Sequence, residues 1–480
     1  MKASIQIQRR RPVSDHRFLP ALRLALAIAT LSLVASTWPL WTGSSSFPQI
    51  PFLECLCEVS DWADSVTLGL ILGGALATLF GSTVSLIDGG RNREATLPRV
   101  ALRLETLGPW LLAIGLASSS LLNQHRLQPW AWHFILLSPV LARPPRVLDL
   151  LNRGQPVGIE FNSVVSLTVC IYAFSAVSKL DATFHATYGR QLVEALVGAV
   201  GGTTRFWPDW LQSVAAVLLP LGEATVAALL LLSPRLHRFG FPLAITMHVL
   251  LLVTVGPLGL NHQPGVLIWN AFFIAQSWIL WSRSKRELAA RTEPPSPTAS
   301  ETADPDLVEL LKDRESDSKP WWRFRIEMIP LIVALHILTL GMLLPFLHLF
   351  GSCDPWPAWA IYASQPARVT ILLDEAAANN LPADMRQFVQ PRRLDDGRFF
   401  FRVDLWSIET TGAPIYPGDR FSVAVANSLE QRPELHDKVD VAVESPSAWW
   451  TGKRTAREYR GTEEISRLAN GFWINTRPRR

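Results

Sequence analysis

Residues 158–184 read GIEFNSVVSLTVCIYAFSAVSKLDATF, an apolar run about 20 residues long, the length of a bilayer-spanning helix, that stops at Lys179 with Asp181 just beyond. An ammonium at the end of such a run has two fates. It snorkels to the lipid headgroups, or, if walled off from water, it gives up its proton and becomes a base. The first makes the segment a plain membrane helix; the second makes it part of a reactive site.

The rest of the chain fits the same frame. Of 480 residues, 49% are hydrophobic and only 18% charged, and long Leu/Ala/Val runs alternate with short basic loops. This composition predicts a polytopic α-helical membrane bundle of about eight or nine spans, with room left for a C-terminal, mainly β, extracytoplasmic domain. The net charge of +4 is explained by topology and calls for no nucleic acid, so the lipid bilayer is the expected partner.

The N-terminal MKASIQIQRRRP is basic, and the apolar run that follows it, Phe18 to Trp41, is too long for a signal h-region and lacks a small-residue cleavage site. Residues 1–17 are therefore read as a cytoplasmic flank. Spans are expected at 18–42, 64–87, 101–122, 128–142, 158–178, 210–233, 241–258, 265–282 and 326–350. Cytoplasmic loops then carry Arg91, Arg93 and Arg99, then Arg143, Arg146 and Arg153, then Arg235 and Arg238, then Arg283, Lys285 and Arg286. Loops 43–61 and 259–265 have neither Lys nor Arg, the asymmetry of the positive-inside rule. This places the protein in the cell (inner) membrane as a multi-pass chain. Segment 128–142 is short for a span, which requires it to be tilted, re-entrant or buried among neighbours.

Domain limits follow from composition: a transmembrane bundle over 18–282, a Pro/Ser-rich and charged cytoplasmic linker without core-forming residues over 283–320, a last helix over 321–352, and the extracytoplasmic domain over 353–480. In that domain ARVTILL (367–373), GRFFFRVDLWSI (397–408) and DRFSVAVANSL (419–429) read as strands between turn formers. Between Asp181 and Trp210, the sequence ATYGRQLVEALVGAV puts Leu192, Leu196 and Val200 on one helical face. It is read either as a helix flat on the membrane roofing a cavity, or as a simple surface connection.

Polar residues within spans need a reason. Glu223 follows Pro220 and Gly222 half-way along its helix, and His248 lies at comparable depth in the next, so the two could meet. His133, His336, Asn162, Asn270 and Gln276 add to a polar interior, each open to the plainer reading of an interhelical hydrogen bond. The histidines lack metal-ligand spacing, and no phosphate loop or GxSxG elbow occurs. Cys55 and Cys57 fall in the first outside loop and Cys353 just outside the last span, so a structural disulfide from Cys353 to either of the pair is expected, with Cys170 as buried packing.

VSKLDATF at 177–184, with Tyr172 before it and Tyr188-Gly189 after it, resembles the YFxAGxxKLDxDW motif of the vitamin K-dependent γ-carboxylases and their relatives, the horizontally transferred transmembrane (HTTM) domain proteins. The segments Met247 to Leu250 and Pro355 to Ala363 resemble later parts of that family. RLQPWAWHF (126–134) and GPLGLNHQPGVLIWN (256–270) are similar to MauE/DoxX redox-associated membrane proteins. The chain departs from the carboxylase pattern at Ser178, where a second lysine stands in the family, and at Phe184, where a tryptophan does.

The resemblance implies a reduced naphthoquinone of the vitamin K type, oxygen, and Lys179 as the base. His248 and Glu223 join it as catalytic candidates that orient the ring oxygens, and Asp181, Tyr172 and Asn270 are candidates for holding the cofactor. An extracytoplasmic protein is then a possible substrate or partner. Two other classes stay open: a MauE/DoxX-like redox partner of extracytoplasmic thiols working through Cys55 and Cys57, and a non-enzymatic anchor presenting the β domain.

Overall fold

A computed structural model describes residues 17–43, 46–88, 96–142, 158–292 and 321–479. The loop residues Arg91, Arg93, Arg143, Arg146 and Arg153, the flank 1–16 and the linker from 293 to 320 lie outside them. The long helices are α1 (Phe18–Ser36), α3 (Trp62–Asp88), α4 (Thr96–Leu122), α6 (Ile159–Val177), α9 (Asp209–Leu232), α10 (His237–Val255), α11 (Pro264–Thr292) and α12 (Trp321–His348). By length and composition these eight are able to cross a membrane. Short helices α2 (Trp38–Thr42), α5 (Pro129–Leu141), α7 (Ala182–Ala186) and α8 (Tyr188–Ala199) complete the bundle. The helix α11 runs on to Thr292, so residues 283–292 are not the start of an unstructured linker: Arg283 pairs with Glu287 one turn on and lies over the rings of Phe18 and Phe161.

Segment 128–142 forms the short apolar helix α5. All but one residue of α5 is buried, and the chain at its two ends is pinned to α2 and to α1. Arg126 donates to Leu40 O at 2.8 Å, while Arg23 near the start of α1 donates to Leu141 O at 2.7 Å and pairs with the buried Glu105 at 3.0 Å. This 13-residue helix is shorter than the eight membrane-length helices and is enclosed by protein. Phe18 lies at the end of α1 away from the C-terminal domain, whose Gly412 packs on Ser36 and Thr37 at the other end.

Helices α3 and α4 form the tightest pair. A side chain at Gly108 would meet Thr78 N at 2.7 Å and one at Gly115 would meet Ile71 N at 2.8 Å, with Gly74 and Gly81 equally close to α4. Small residues let the two backbones touch, which is how helices gain packing energy where lipid is as apolar as leucine.

The C-terminal domain is α+β, a correction to the mainly β expectation. Strands β1 (Arg368–Leu373), β2 (Val389–Arg393), β3 (Phe399–Phe401), β4 (Val439–Glu444) and β5 (Ala456–Arg460) form one antiparallel sheet in the order β2-β3-β1-β4-β5. Ile371 stands opposite Phe401 and Val441, and all three are buried. Helices α13 (Glu375–Asn380), α14 (Ala383–Arg386), α15 (Val403–Thr411), α16 (Asp419–Glu430) and α17 (Gly461–Asn470) pack around it. DRFSVAVANSL is the helix α16, not a strand. Phe421, Val423, Ala424, Val425, Ala426 and Leu429 are all buried; Phe421, Val423 and Val425 alternate as in a strand, but Phe421, Ala424, Val425 and Leu429 also fall at helical spacing, and the helical reading is the one the fold adopts.

Candidate functional site

Lys179 lies just past the end of α6, on the face that also carries Ser175 and Tyr172 one and two turns earlier. Its side chain folds back into the bundle. The Nζ donates to Ser175 Oγ at 2.5 Å and to Glu223 Oε1 and Oε2 at 2.8 and 2.9 Å. Ser175 Oγ in turn lies 3.2 Å from Glu223 Oε1. Glu223 is delivered by α9 one turn after Pro220, whose missing N–H leaves the carbonyl of Ala216 without its helical partner, and beside Gly222, which leaves open space where a side chain would stand. Lys179 retains 5% of its accessible surface and so does not snorkel.

A second polar group faces the first. Tyr172 Oη lies 2.7 Å from His248 Nε2, and His248 Nδ1 lies 2.8 Å from Asn270 Oδ1. Asn270 donates its amide to Val266 O at 2.8 Å, which fixes Oδ1 as the acceptor. The network therefore assigns the proton of a neutral His248 to Nδ1, and leaves Nε2 to accept from the Tyr172 hydroxyl. Phe273 stacks on the imidazole at 4.6 Å and 6°.

Both groups line one cavity of about 490 Å³, within the roughly 300–1,000 Å³ range of small-molecule sites. Most of its remaining wall is apolar, including Trp269 and Phe273 from α11, Phe184 from α7, and Leu192 and Leu196 from α8. The amphipathic helix expected after Asp181 is thus a cavity wall, although Val200 at its end is exposed. The C-terminal part of the chain closes the cavity with Trp356, Ile361, Tyr362, Ala413 and Pro414. Tyr362 Oη lies 3.3 Å from His262 Nδ1; burial pushes the His262 imidazole below and the Tyr362 phenol above their ordinary values.

The structure gathers Lys179, Glu223, Tyr172, His248 and Asn270 around this space. Asp181 is placed elsewhere: it caps α7, accepting from the backbone N–H groups of Thr183 and Phe184 at 2.9 and 3.0 Å. Of the other polar residues, His133 is enclosed by Phe134, Phe272 and Phe273 and accepts from Trp269 Nε1 at 3.3 Å, and Gln276 donates to Thr168 Oγ1 at 3.0 Å. Asn162 and His336 are exposed on the outside of the bundle and do not join a polar interior. Ser175 had a legible signal, standing one turn before Lys179. His262 and Tyr362 are brought together across 100 positions, which no local pattern reveals.

The expected disulfide is not formed: all four cysteines are free. Cys57 lies against Asn475 Nδ2 and Arg477 O of the C-terminal tail, and Cys353 lies in the turn after α12, its thiol pushed up to about 12 by burial and the neighbouring Asp354. The staple between first loop and C-terminal domain is made instead by the tail, where Arg479 pairs with Asp61 at 2.8 Å and with the buried Asp64. No three His, Cys, Asp or Glu side chains among the described residues converge as a metal site. The fold and the cavity define a helical protein with eight membrane-length helices and a cavity near one end of its bundle that is lined by a Lys–Glu pair and a Tyr–His–Asn group. No protein-family model matches the chain, and no curated protein or solved structure is significantly similar to it.

Proposed function

We propose that the cavity takes a lipophilic ring bearing hydroxyl groups from the bilayer, a reduced naphthoquinone in the first instance, and that Lys179 is the base that accepts a proton from it. The observation that carries this reading is the position of the Lys179 amine, folded into an apolar chamber beside a carboxylate 2.8 Å away. An amine and a carboxylate in contact can pass a proton between them, so the pair can expose a neutral amine without a net change of charge inside the wall. Ser175, bonded to both, holds them in register. Tyr172, whose own proton is committed to His248, presents an oxygen lone pair that can accept from a ligand hydroxyl, and Asn270 fixes the imidazole that holds it. Apolar walls of Trp269, Phe273 and Leu192 suit a fused ring. With oxygen, a bound reduced naphthoquinone would supply a base strong enough to take a proton from carbon.

In this reading the sheet-bearing end of the bundle faces away from the cytoplasm. Arg235, Arg238, Arg283, Lys285 and Arg286 all lie towards the opposite end, with Phe18. An extracytoplasmic protein substrate would meet the C-terminal domain above the cavity. Thiol exchange through Cys57 has less physical support, since burial raises that thiol and so disfavours the reactive thiolate.

The test is oxygen uptake by the purified protein in lipid nanodiscs supplied with reduced menaquinone or phylloquinone. Uptake that disappears in Lys179→Ala is the expected result; uptake unchanged by that substitution would contradict the assignment.

A further inference from the structure

In the C-terminal domain Trp356, Trp359 and Trp406 are buried and Trp449 is half-buried, whereas Trp450 and Trp473 are each 88% exposed. Single exposed apolar side chains are common, but these two share a setting. Trp449 O, next to Trp450, accepts from the N–H of Ala182 at 2.8 Å, and Gly452 packs on Thr183. Both contacts fall just beyond the end of α6. Asn475, two residues after Trp473, donates to Pro51 O at 3.0 Å, and the adjacent Phe52 N donates to Leu121 O at the end of α4. The two stretches that carry these exposed indoles are therefore tied to segments adjoining the ends of membrane-length helices, the Trp450 turn to the chain just after α6 and the Trp473 segment to the loop bonded to the end of α4. At that same end Trp62 opens α3 and Trp210 opens α9, both exposed.

An indole, apolar in body and with one N–H, belongs at the boundary between acyl chains and headgroups, and the ends of spans are where such rings collect. We propose that Trp450 and Trp473 continue the interfacial ring begun by Trp62 and Trp210, so that two loops of the C-terminal domain are seated in the headgroup layer and the lipid interface is the partner of this face. Lys453 is exposed on the same turn as Trp450, placed to meet lipid phosphates. Because the Trp450 turn rests on Ala182 and Thr183 of α7, which leads into the cavity wall α8, this seat holds that wall between lipid and domain. The proposal stands apart from what the cavity binds.

The experiment is tryptophan fluorescence of the full chain in nanodiscs, comparing the wild type with Trp450→Phe and Trp473→Phe to isolate each indole's emission. Phenylalanine keeps the apolar ring and leaves folding undisturbed. Each isolated contribution should be lost in lipids brominated near the headgroup, less so in lipids brominated at the chain ends, and should resist aqueous iodide. Quenching by iodide with none from brominated lipid would overturn the proposal by placing the rings in water. Protection from both quenchers that vanishes on dilution of the protein would overturn it in favour of contact with a second copy.

Discussion

Two buried ionic clusters near the same end of the bundle differ in what surrounds them. Arg126 and Arg479 close on Asp64, with Leu40 O and Ser119 Oγ taking further donors, and all three charged side chains are at most 2% exposed. Lys179 and Glu223 have only the hydroxyl and carbonyl of Ser175 for company, are 6% and 14% exposed, and face the cavity. The first joins helices α3 and the tail into one body. The second is a pair left open on one side, the arrangement expected where charge is meant to act on something else.

The comparison breaks most visibly at Asp64. Asp64→Ala strands the buried Arg126 guanidinium, leaves Arg479 only the exposed Asp61, and should cost about 3–5 kcal/mol, read as a large fall in unfolding temperature in nanodiscs, with the tail released to proteolysis. Lys179→Ala should cost less, roughly 1–3 kcal/mol, since Glu223 retains some exposure and a cavity that can admit water. The double substitution Lys179→Met with Glu223→Gln should recover most of that stability while ligand-dependent activity stays lost. Equal losses for Asp64→Ala and Lys179→Ala would erase the distinction between staple and site.

Smaller effects sharpen it. Asn270→Leu leaves His248 Nδ1 without its acceptor, a cost of roughly 1–3 kcal/mol, and should weaken binding of a reduced quinone more than it lowers stability relative to Tyr172→Phe. Smallest is the thiol pattern. In the folded protein Cys55, which is exposed, should react with a maleimide first, while Cys353, its thiol pushed up to about 12, stays protonated and slow as the pH rises towards the ordinary thiol range near 9. The sign follows from burial: a raised value stabilises the fold at low pH, and that contribution fades as the pH climbs from about 9 towards 12. Rapid modification of Cys353 at neutral pH would show a looser domain than the structure has.

Much of the bundle was legible because its signal is one-dimensional. Apolar length locates the eight membrane-length helices, and Lys179 and Glu223 stood out because charge within an apolar helix of that length is costly. Their meeting, and that of Tyr172 with His248 and Asn270, depends on helix rotation, which span detection does not supply. The Gly74/Gly108 contact of α3 with α4 was invisible for the same reason. The C-terminal domain misled at α16, where Phe421, Val423 and Val425 alternate like a strand but are buried as a helix enclosed on most sides. The disulfide expectation failed because shared location outside the spans says nothing of distance, and Arg479 on Asp64 performs the tethering that a bridge would have performed.

The central claim is that a lipophilic ring enters the chamber beside Lys179, and photocrosslinking tests it most directly. A photoreactive naphthoquinol added to the protein in nanodiscs, followed by peptide mapping, should label segments 172–179, 218–223, 246–254 and 262–273, with labelling displaced by unmodified quinol. Labelling confined to the exposed faces of α3, α9 and α12, and insensitive to competitor, would contradict it.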